Sequence, residues 1–330
     1  MFHQTESDKK QVNFFASFIP QMFEIDGVKE RWHKYKTKRD ISTKENVEKS
    51  YYEMKRIVDV FCNFLDTQFK CFDFKPARKR KKFKSDIIMY WHQGKDMPKC
   101  SSLCYQSFLQ NQRRSISLLS YEDVKELVKI DDAVKAAFEK GNIGYAAYSD
   151  YLRFLLLEQY EVMWVDATIF CIDDIPSSYF TQDFWSIKGN YMSGYAENVK
   201  ALTYDCHFGQ MYLLSGKDNR IFSKARQMYE AYIARFDINF CYFMAYVFLE
   251  WLYRNDDVIK QEIDALQPNN SRVEYLTCAR ELPLNDDIFK DMLSSDTVFY
   301  KLSNRIEYDY SEKTFIGQFI KRHMKGEKDE

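Results

Sequence analysis

The chain has 330 residues, enough for one large domain or two smaller ones. Its 48 Lys and Arg against 49 Asp and Glu leave a net charge of −1, which excludes the strong basic excess of a dedicated nucleic-acid binder. An apolar fraction of 45 % with only 10 Gly and 6 Pro excludes global disorder, collagen-like repeats and low-complexity classes.

The opening MFHQTESDKK puts charge ahead of any apolar core and so does not read as a secretory leader. Residues 1–74 read as a helical N-terminal region. Within it Val47, Tyr51, Met54, Val58, Phe61 and Leu65 step by four and three, the spacing of one apolar helix face. Residues 75–85 read as a basic linker, because KPARKRKKFK over 75–84 holds seven basic residues and no acid. An exposed run of this kind suits anionic lipid headgroups, at roughly 1 kcal/mol for each basic residue. It does not suit nucleic acid, since no stacking aromatic interleaves it beyond Phe83.

From residue 86 onward helices and strands alternate. Ile87 to Trp91 and Ile116 to Leu119 are short apolar runs, read as buried strands. Ser120 with Asp123 forms a capping-box pattern ahead of a helix. A further helix over Asp131 to Lys140 is stopped by Gly141. A helix over Tyr148 to Tyr160 then leads to a strand over Met163 to Asp166 that ends in a carboxylate. The alternation predicts an α/β domain with a largely parallel sheet. Further on, strands are expected at Trp185 to Lys188, Met211 to Leu214 and Phe299 to Leu302. Helices are expected at Asn219 to Arg235, Phe240 to Arg254 and Thr314 to Met324. The apolar stretch Phe240 to Leu249 is too short to span a bilayer and reads as a buried helix.

The eight cysteines, Cys62, Cys71, Cys100, Cys104, Cys171, Cys206, Cys241 and Cys278, include no CxxC pair, and the pattern is that of reduced thiols in a cytoplasmic protein. Cys100 and Cys104 are the only close pair, and adjacent Cys206 and His207 are badly placed to share a metal. His92 and His207 are acid or base candidates whose ordinary reading is structural. Asp173, Asp174, Trp185, Lys188, Asp237 and Asn239 are weaker candidates for a cleft.

The richest stretch is Ser149 to Thr168, SDYLRFLLLEQYEVMWVDAT. Asp150 and Arg153 are three apart and share a helix face. On the expected boundaries they fall in the first helical turn, where the helix dipole favours an anion. Asp166 closes an apolar strand, and open α/β sheets bind ligands outside the carboxyl ends of their strands. The three side chains are therefore expected to meet one ligand. The plainer reading is a surface ion pair and a strand-terminal acid.

Ser149, Asp150, Arg153, Leu155, Leu156, Tyr160, Trp164, Asp166, Ala167 and Thr168 resemble the SD-x-x-R…YGG-x-W-x-D-A-T segment of bacterial capsular-polysaccharide synthesis proteins. Those proteins are related to the DxD-type glycosyltransferases that include yeast initiating mannosyltransferases and, more distantly, clostridial glucosylating toxins. Ile87 to Gly94 resembles the family's opening strand, Pro98, Cys100 and Ser107 its continuation, and Phe299 to Leu302 its late strand with a K-L pair. The resemblance covers about residues 86 to 303. Two departures stand out: Glu161-Val162 replace the glycine pair, and Thr168, which matches the capsular D-A-T, stands where a full DxD has its second acid.

The resemblance implies a GT-A-like nucleotide-sugar-binding domain over 86–330, behind the helical N-terminal region and with additional C-terminal helices. It implies retaining hexosyl transfer from a nucleoside-diphosphate sugar, a UDP-sugar foremost, to a surface polysaccharide or glycoconjugate, including lipid-linked acceptors. Asp150, Arg153 and Asp166 become the catalytic set. Tyr90, Trp91, Ser149, Asp150, Arg153 and Thr168 become the donor-binding set, with Trp91 flanking the base and Asp150 and Arg153 on the sugar hydroxyls and diphosphate. Asp166 becomes the ligand of a divalent cation, Mn²⁺ or Mg²⁺. The implied location is cytoplasmic, with residues 75–84 contacting the anionic inner face of the plasma membrane. The rival reading is an inactive GT-A-like protein that binds and organises a polysaccharide assembly.

Overall fold

Short apolar strands and the helices between them set the framework in this computed structural model, which describes residues 58–188, 210–239, 244–278 and 294–324. In chain order the elements begin with α1 (58–69), β1 (Ile87–Tyr90), α2 (Lys99–Asn111), β2 (Ile116–Leu119), α3 (Tyr121–Leu127), α4 (Asp132–Glu139) and α5 (Tyr145–Gln159). There follow β3 (Met163–Asp166), β4 (Ile169–Cys171), β5 (Trp185–Ile187), β6 (Gln210–Ser215) and α6 (Arg220–Phe236). The chain closes with α7 (Met244–Asn255), α8 (Asp257–Ala265), α9 (Tyr275–Cys278), β7 (Phe299–Lys301) and α10 (Phe315–Met324). The described residues fall into two compact units. The first draws on 58–79, 128–158 and 219–260, and the second on 80–127, 159–218 and 261–324.

The first unit is helical. Val58, Phe61 and Leu65 of α1 are buried, as their spacing predicts, while Val47, Tyr51 and Met54 lie outside the described residues. Aromatic side chains make up much of its core: Tyr229 meets the edge of Phe248 at 5.7 Å, and Phe69 lies 6.0 Å from Trp251. The Asp131 side chain caps α4 by accepting from the Ala133 and Val134 amides, at 3.0 and 3.1 Å. Gly141, at φ +73°, ends it in the left-handed conformation that glycine tolerates. The buried carboxylate of Glu158 receives both Arg226 and Ser223, and Arg226 also reaches Glu230. Helix α7 begins at Met244; Phe240 and Cys241, expected in the same helix, lie outside the described residues.

The second unit holds a five-stranded sheet in the order β2-β1-β3-β6-β5. β1 runs parallel to both β2 and β3, as the alternating pattern predicts. β6 runs antiparallel to β3 and to β5, so the sheet is mixed and the largely parallel expectation is corrected. A parallel neighbour needs a long crossover, usually a helix. Helices lie between β1 and β2 and between β2 and β3, whereas the described residues between β3 and β6 hold β4, a 3₁₀ turn over Ser177–Phe180 and β5. A second, two-stranded sheet pairs β4 with β7, and Phe170, Tyr300, Phe315 and Phe319 pack behind it.

The basic run is more than a solvated connection. Lys81 forms a β-bridge to Tyr160, with its amide donating to the Gln159 carbonyl at 2.8 Å. The Arg80 guanidinium donates to the Tyr160 carbonyl at 3.1 Å and to the Gly216 carbonyl, and burial lowers its pKa from the ordinary value. Lys82 pairs with Glu161 at 2.6 Å, so the turn that would otherwise be glycine-built is braced by this run. Lys79, Lys81, Lys82 and Lys84 keep exposed side chains. No helix among the described residues is long and apolar enough to cross a membrane.

Candidate functional site

Register brings three strand ends together in the second unit. Tyr90, at the carboxyl end of β1, pairs with Leu119 of β2 on one side and Asp166 of β3 on the other. Asp166 is half-exposed, while Met163, Trp164 and Val165 before it are buried, so the strand delivers one polar side chain to the sheet's rim. Side chains two apart on a strand share a face. Accordingly the indole N–H of Trp164 donates to Asp166 Oδ1 at 2.9 Å and fixes the carboxylate's orientation. The Tyr90 ring lies 6.1 Å from Trp164, and its hydroxyl is 2.9 Å from His92 Nδ1. His92 stacks on Tyr121 at 4.8 Å, and burial lowers its pKa from the ordinary imidazole value against the pull of Glu122. Trp91 follows β1 half-exposed, its indole N–H donating to the Asp96 carbonyl at 3.0 Å. The rim thus offers a half-exposed carboxylate and the half-exposed Trp91 and His92 rings, while the Tyr90 and Trp164 rings are buried.

Ala167 and Thr168 form the two-residue turn between β3 and β4. The Lys301 ammonium donates to Thr168 Oγ1 at 2.5 Å and to the Leu302 carbonyl at 2.7 Å. Ile169 opposite Lys301 in the β4–β7 ladder and the Leu302 amide on the Thr168 carbonyl, at 2.8 Å, hold this meeting in place. The K-L pair of the late strand and the D-A-T turn are therefore one structural feature. Sequence reading placed both segments but gave Lys301 no role.

This donor set does not fit a divalent cation held in the manner of a DxD motif. Position 168 offers a hydroxyl already bonded to an ammonium, and a second cation there meets like charge. Among the described residues no three His, Cys, Asp or Glu side chains cluster to hold a metal ion. Magnesium is commonly bound by one or two carboxylates together with substrate phosphates, and the carboxylate at the end of β3 is that of Asp166.

In the first unit Asp150 and Arg153 form the predicted pair, Oδ1 to Nη1 at 3.0 Å, with the arginine side chain 4 % exposed and the aspartate 18 %. Their place in the helix is corrected. α5 starts at Tyr145, so Asp150 stands five residues inside it and not in the first turn. The first-turn amides that give a helix start its anion affinity lie nearer Tyr145. Ser149 precedes the pair, half-buried on the same helix.

The weaker candidates are taken up by structure. Asp237 ends α6 with φ +53° and accepts from Asn142 at 2.8 Å, and Asn239 is buried and accepts from Tyr229 at 3.4 Å. Trp185 is buried against Tyr179 with rings 4.1 Å apart. The Lys188 ammonium donates to the Leu266 carbonyl at 2.9 Å, beyond the end of α8. Asp174 accepts from the Arg113 amide at 3.2 Å, and the Asp173 carbonyl from Gln112. Cys62, Cys71, Cys100, Cys104 and Cys171 are free thiols. Cys206, His207 and the side chain of Cys278 lie outside the described residues.

The family model for capsular polysaccharide synthesis proteins matches residues 33–321. The chain belongs to that family. Neither the curated proteins nor the solved structures give a match. The matched span of this capsular polysaccharide synthesis protein takes in Tyr90, the Asp150–Arg153 pair, the D-A-T turn and Lys301. Membership ties the chain to polysaccharide biosynthesis.

Proposed function

We propose that this protein transfers a sugar from a nucleoside-diphosphate donor, foremost a UDP-sugar, to a surface-polysaccharide or glycoconjugate acceptor, on a GT-A-like fold. The observation that carries the reading is the rim of β1 and β3, where Asp166 and Tyr90 stand in register beside Trp164 and His92. Ligands of open α/β sheets bind at such carboxyl ends. In this reading Asp166 orients hydroxyls of the donor, Tyr90 and Trp91 flank its base, and Thr168 lines its diphosphate side. Asp150 and Arg153, with Ser149, are assigned to sugar hydroxyls and diphosphate on the strength of the S-D-x-x-R pattern.

The bond between the anomeric carbon and the diphosphate oxygen breaks, and its electron pair leaves with the phosphate. The acceptor hydroxyl oxygen bonds to that carbon from the same face, and its proton passes to the departing phosphate. Positive character builds on the sugar and is met by a carboxylate, as in other glycosyl transfers. The exposed lysines of 79–84 hold the enzyme to an anionic membrane face at the cytoplasmic side.

A panel of nucleotide sugars assayed for donor hydrolysis tests the proposal. One donor turns over, and Asp166→Asn lowers that rate by about 10²–10³-fold without a large change in melting temperature. Equal turnover in Asp166→Asn removes the site. Glu161 in place of glycine favours the second reading, an assembly component; that protein binds a nucleoside diphosphate in a thermal-shift assay and hydrolyses no member of the panel.

A further inference from the structure

We propose that Lys301 is a donor-binding residue whose ammonium carries, beside Thr168, the positive charge that a second DxD carboxylate would otherwise recruit through a metal ion. The inference rests on the nucleotide-sugar reading above and adds to it the group that receives the leaving diphosphate. Lys301 and Thr168 are far apart in sequence, 133 residues, yet the ammonium sits 2.5 Å from the hydroxyl. Thr168 is two residues past Asp166, so the cation is bonded to the position where the motif's second acid would stand.

Both neighbours of this contact are fixed. The Lys301 amide donates to the Val273 carbonyl at 2.6 Å, and the Lys301 carbonyl accepts from Thr277 Oγ1 at 2.5 Å. Val273 and Thr277 thereby hold one edge of the strand and the Leu302 amide on the Thr168 carbonyl holds the other, while the side chain itself stays half-exposed. The charge also acts on its surroundings. The Cys100 thiol lies below its ordinary pKa, first through its hydrogen bond with Cys104 and against its burial, with Tyr310 and then the Lys301 charge adding to the lowering.

Transfer raises the negative charge on the diphosphate, since the breaking bond leaves its electron pair there. A preorganised cation at that point stabilises the product side of the transition state more than the bound donor. Lysine serves as a point charge for phosphate without the ligand geometry a divalent ion demands. Thr168 then acts as the hydroxyl that positions the ammonium, and its replacement of an acid is compensated by Lys301.

Isothermal titration of UDP, GDP and ADP identifies the nucleoside diphosphate that the wild-type protein binds. Its affinity is then compared with that of the matching nucleoside in Lys301→Gln, Lys301→Arg and wild type. The glutamine keeps a hydrogen bond to Thr168 and removes the charge. Expected is a loss of about 10- to 100-fold in diphosphate affinity in Lys301→Gln, partial recovery in Lys301→Arg, and nucleoside affinity within twofold of wild type. Chelator leaves wild-type diphosphate binding within twofold. Unchanged diphosphate affinity in Lys301→Gln overturns the proposal, as does a tenfold or greater loss in chelator, while donor hydrolysis by wild type leaves the broader reading standing. Should wild type bind no nucleoside diphosphate, the nucleotide-sugar reading falls and the role of Lys301 falls with it. Thr168→Val supplies a second probe that keeps the lysine; an intermediate loss supports its positioning role, and none counts against it.

Discussion

The two units each bring charge to a defined place, and they do so differently. In the first, Glu158 is fully buried, Arg226 is 6 % exposed, and arginine, two glutamates and Ser223 satisfy one another. In the second, Asp166, Thr168 and Lys301 stay half-exposed at a sheet rim and are held by an indole, a hydroxyl and a carbonyl. The first arrangement is closed around its own charges and joins α5 to α6. The second is anchored at the backbone and leaves polar atoms toward solvent. Charge in the first unit thus bears on stability, whereas charge at the rim is placed where a ligand can meet it.

The comparison breaks most visibly at Arg226. Removing one partner of a buried ion pair leaves the other uncompensated, which costs about 3–5 kcal/mol. Arg226→Met is expected to lose that much unfolding free energy in urea titration, because Glu158 would remain without its arginine. The rim behaves in the opposite sense: Asp166→Asn loses turnover and keeps its melting temperature. A stable Arg226→Met or an unstable Asp166→Asn would erase the distinction between the two regions.

How much of this was legible depends on where the deciding partner lies. β2 and β3 have the boundaries read from sequence because short apolar runs end at Ser120 and Asp166, and nothing distant is needed to stop them. The α4 stop is equally local, since Gly141 adopts the positive φ its lack of a side chain permits. Helix α5 starts three residues ahead of the Tyr148 that the apolar pattern predicts, because Tyr145 and Ala146 are exposed and begin no apolar stripe. The antiparallel pairing of β6 is a property of its partner β3, and the strand's own residues do not encode it. Arg80 looked like one more solvated base in a basic run until the Gly216 and Tyr160 carbonyls supplied its acceptors. The Thr168–Lys301 contact was the least legible, because neither residue's local pattern points to the other.

A smaller effect sharpens the comparison inside the second unit, away from the rim. His323 near the end of α10 has its pKa pushed down to about 4, by burial first and by the Arg322 charge second, against Asp173. The unfolded imidazole titrates near 6.5, so the unfolded state binds the proton first as pH falls. Stability is therefore full above about pH 6.5 and declines through the interval down to about 4. His323→Phe is expected to flatten that decline by up to about 3 kcal/mol in unfolding measured at pH 7 and pH 4.5. An unaltered slope would show that the imidazole is not the group being titrated. Buried charge then costs stability in this unit too, which isolates the rim as the exception.

The smallest effect concerns the helix that starts beside the rim. Ser120 Oγ accepts from the Asp123 amide at 3.2 Å, and the Asp123 carboxylate accepts from the Ser120 amide at 2.7 Å, the reciprocal capping box expected from the sequence. The Ser120 hydroxyl and amide hold the Asp123 pKa below its ordinary value of 3.8. The carboxylate's contribution is accordingly present above that value and lost as pH falls through the lower, folded one. Ser120→Ala should cost about 1 kcal/mol at neutral pH. Combined with Asp123→Asn, the two costs should add to less than their sum, because each substitution already disables part of the same box. Strict additivity would mean that the two halves act independently and that α3 is held in place by its packing, with Tyr121 stacked on His92 and its amide donating to the His92 carbonyl at 3.1 Å.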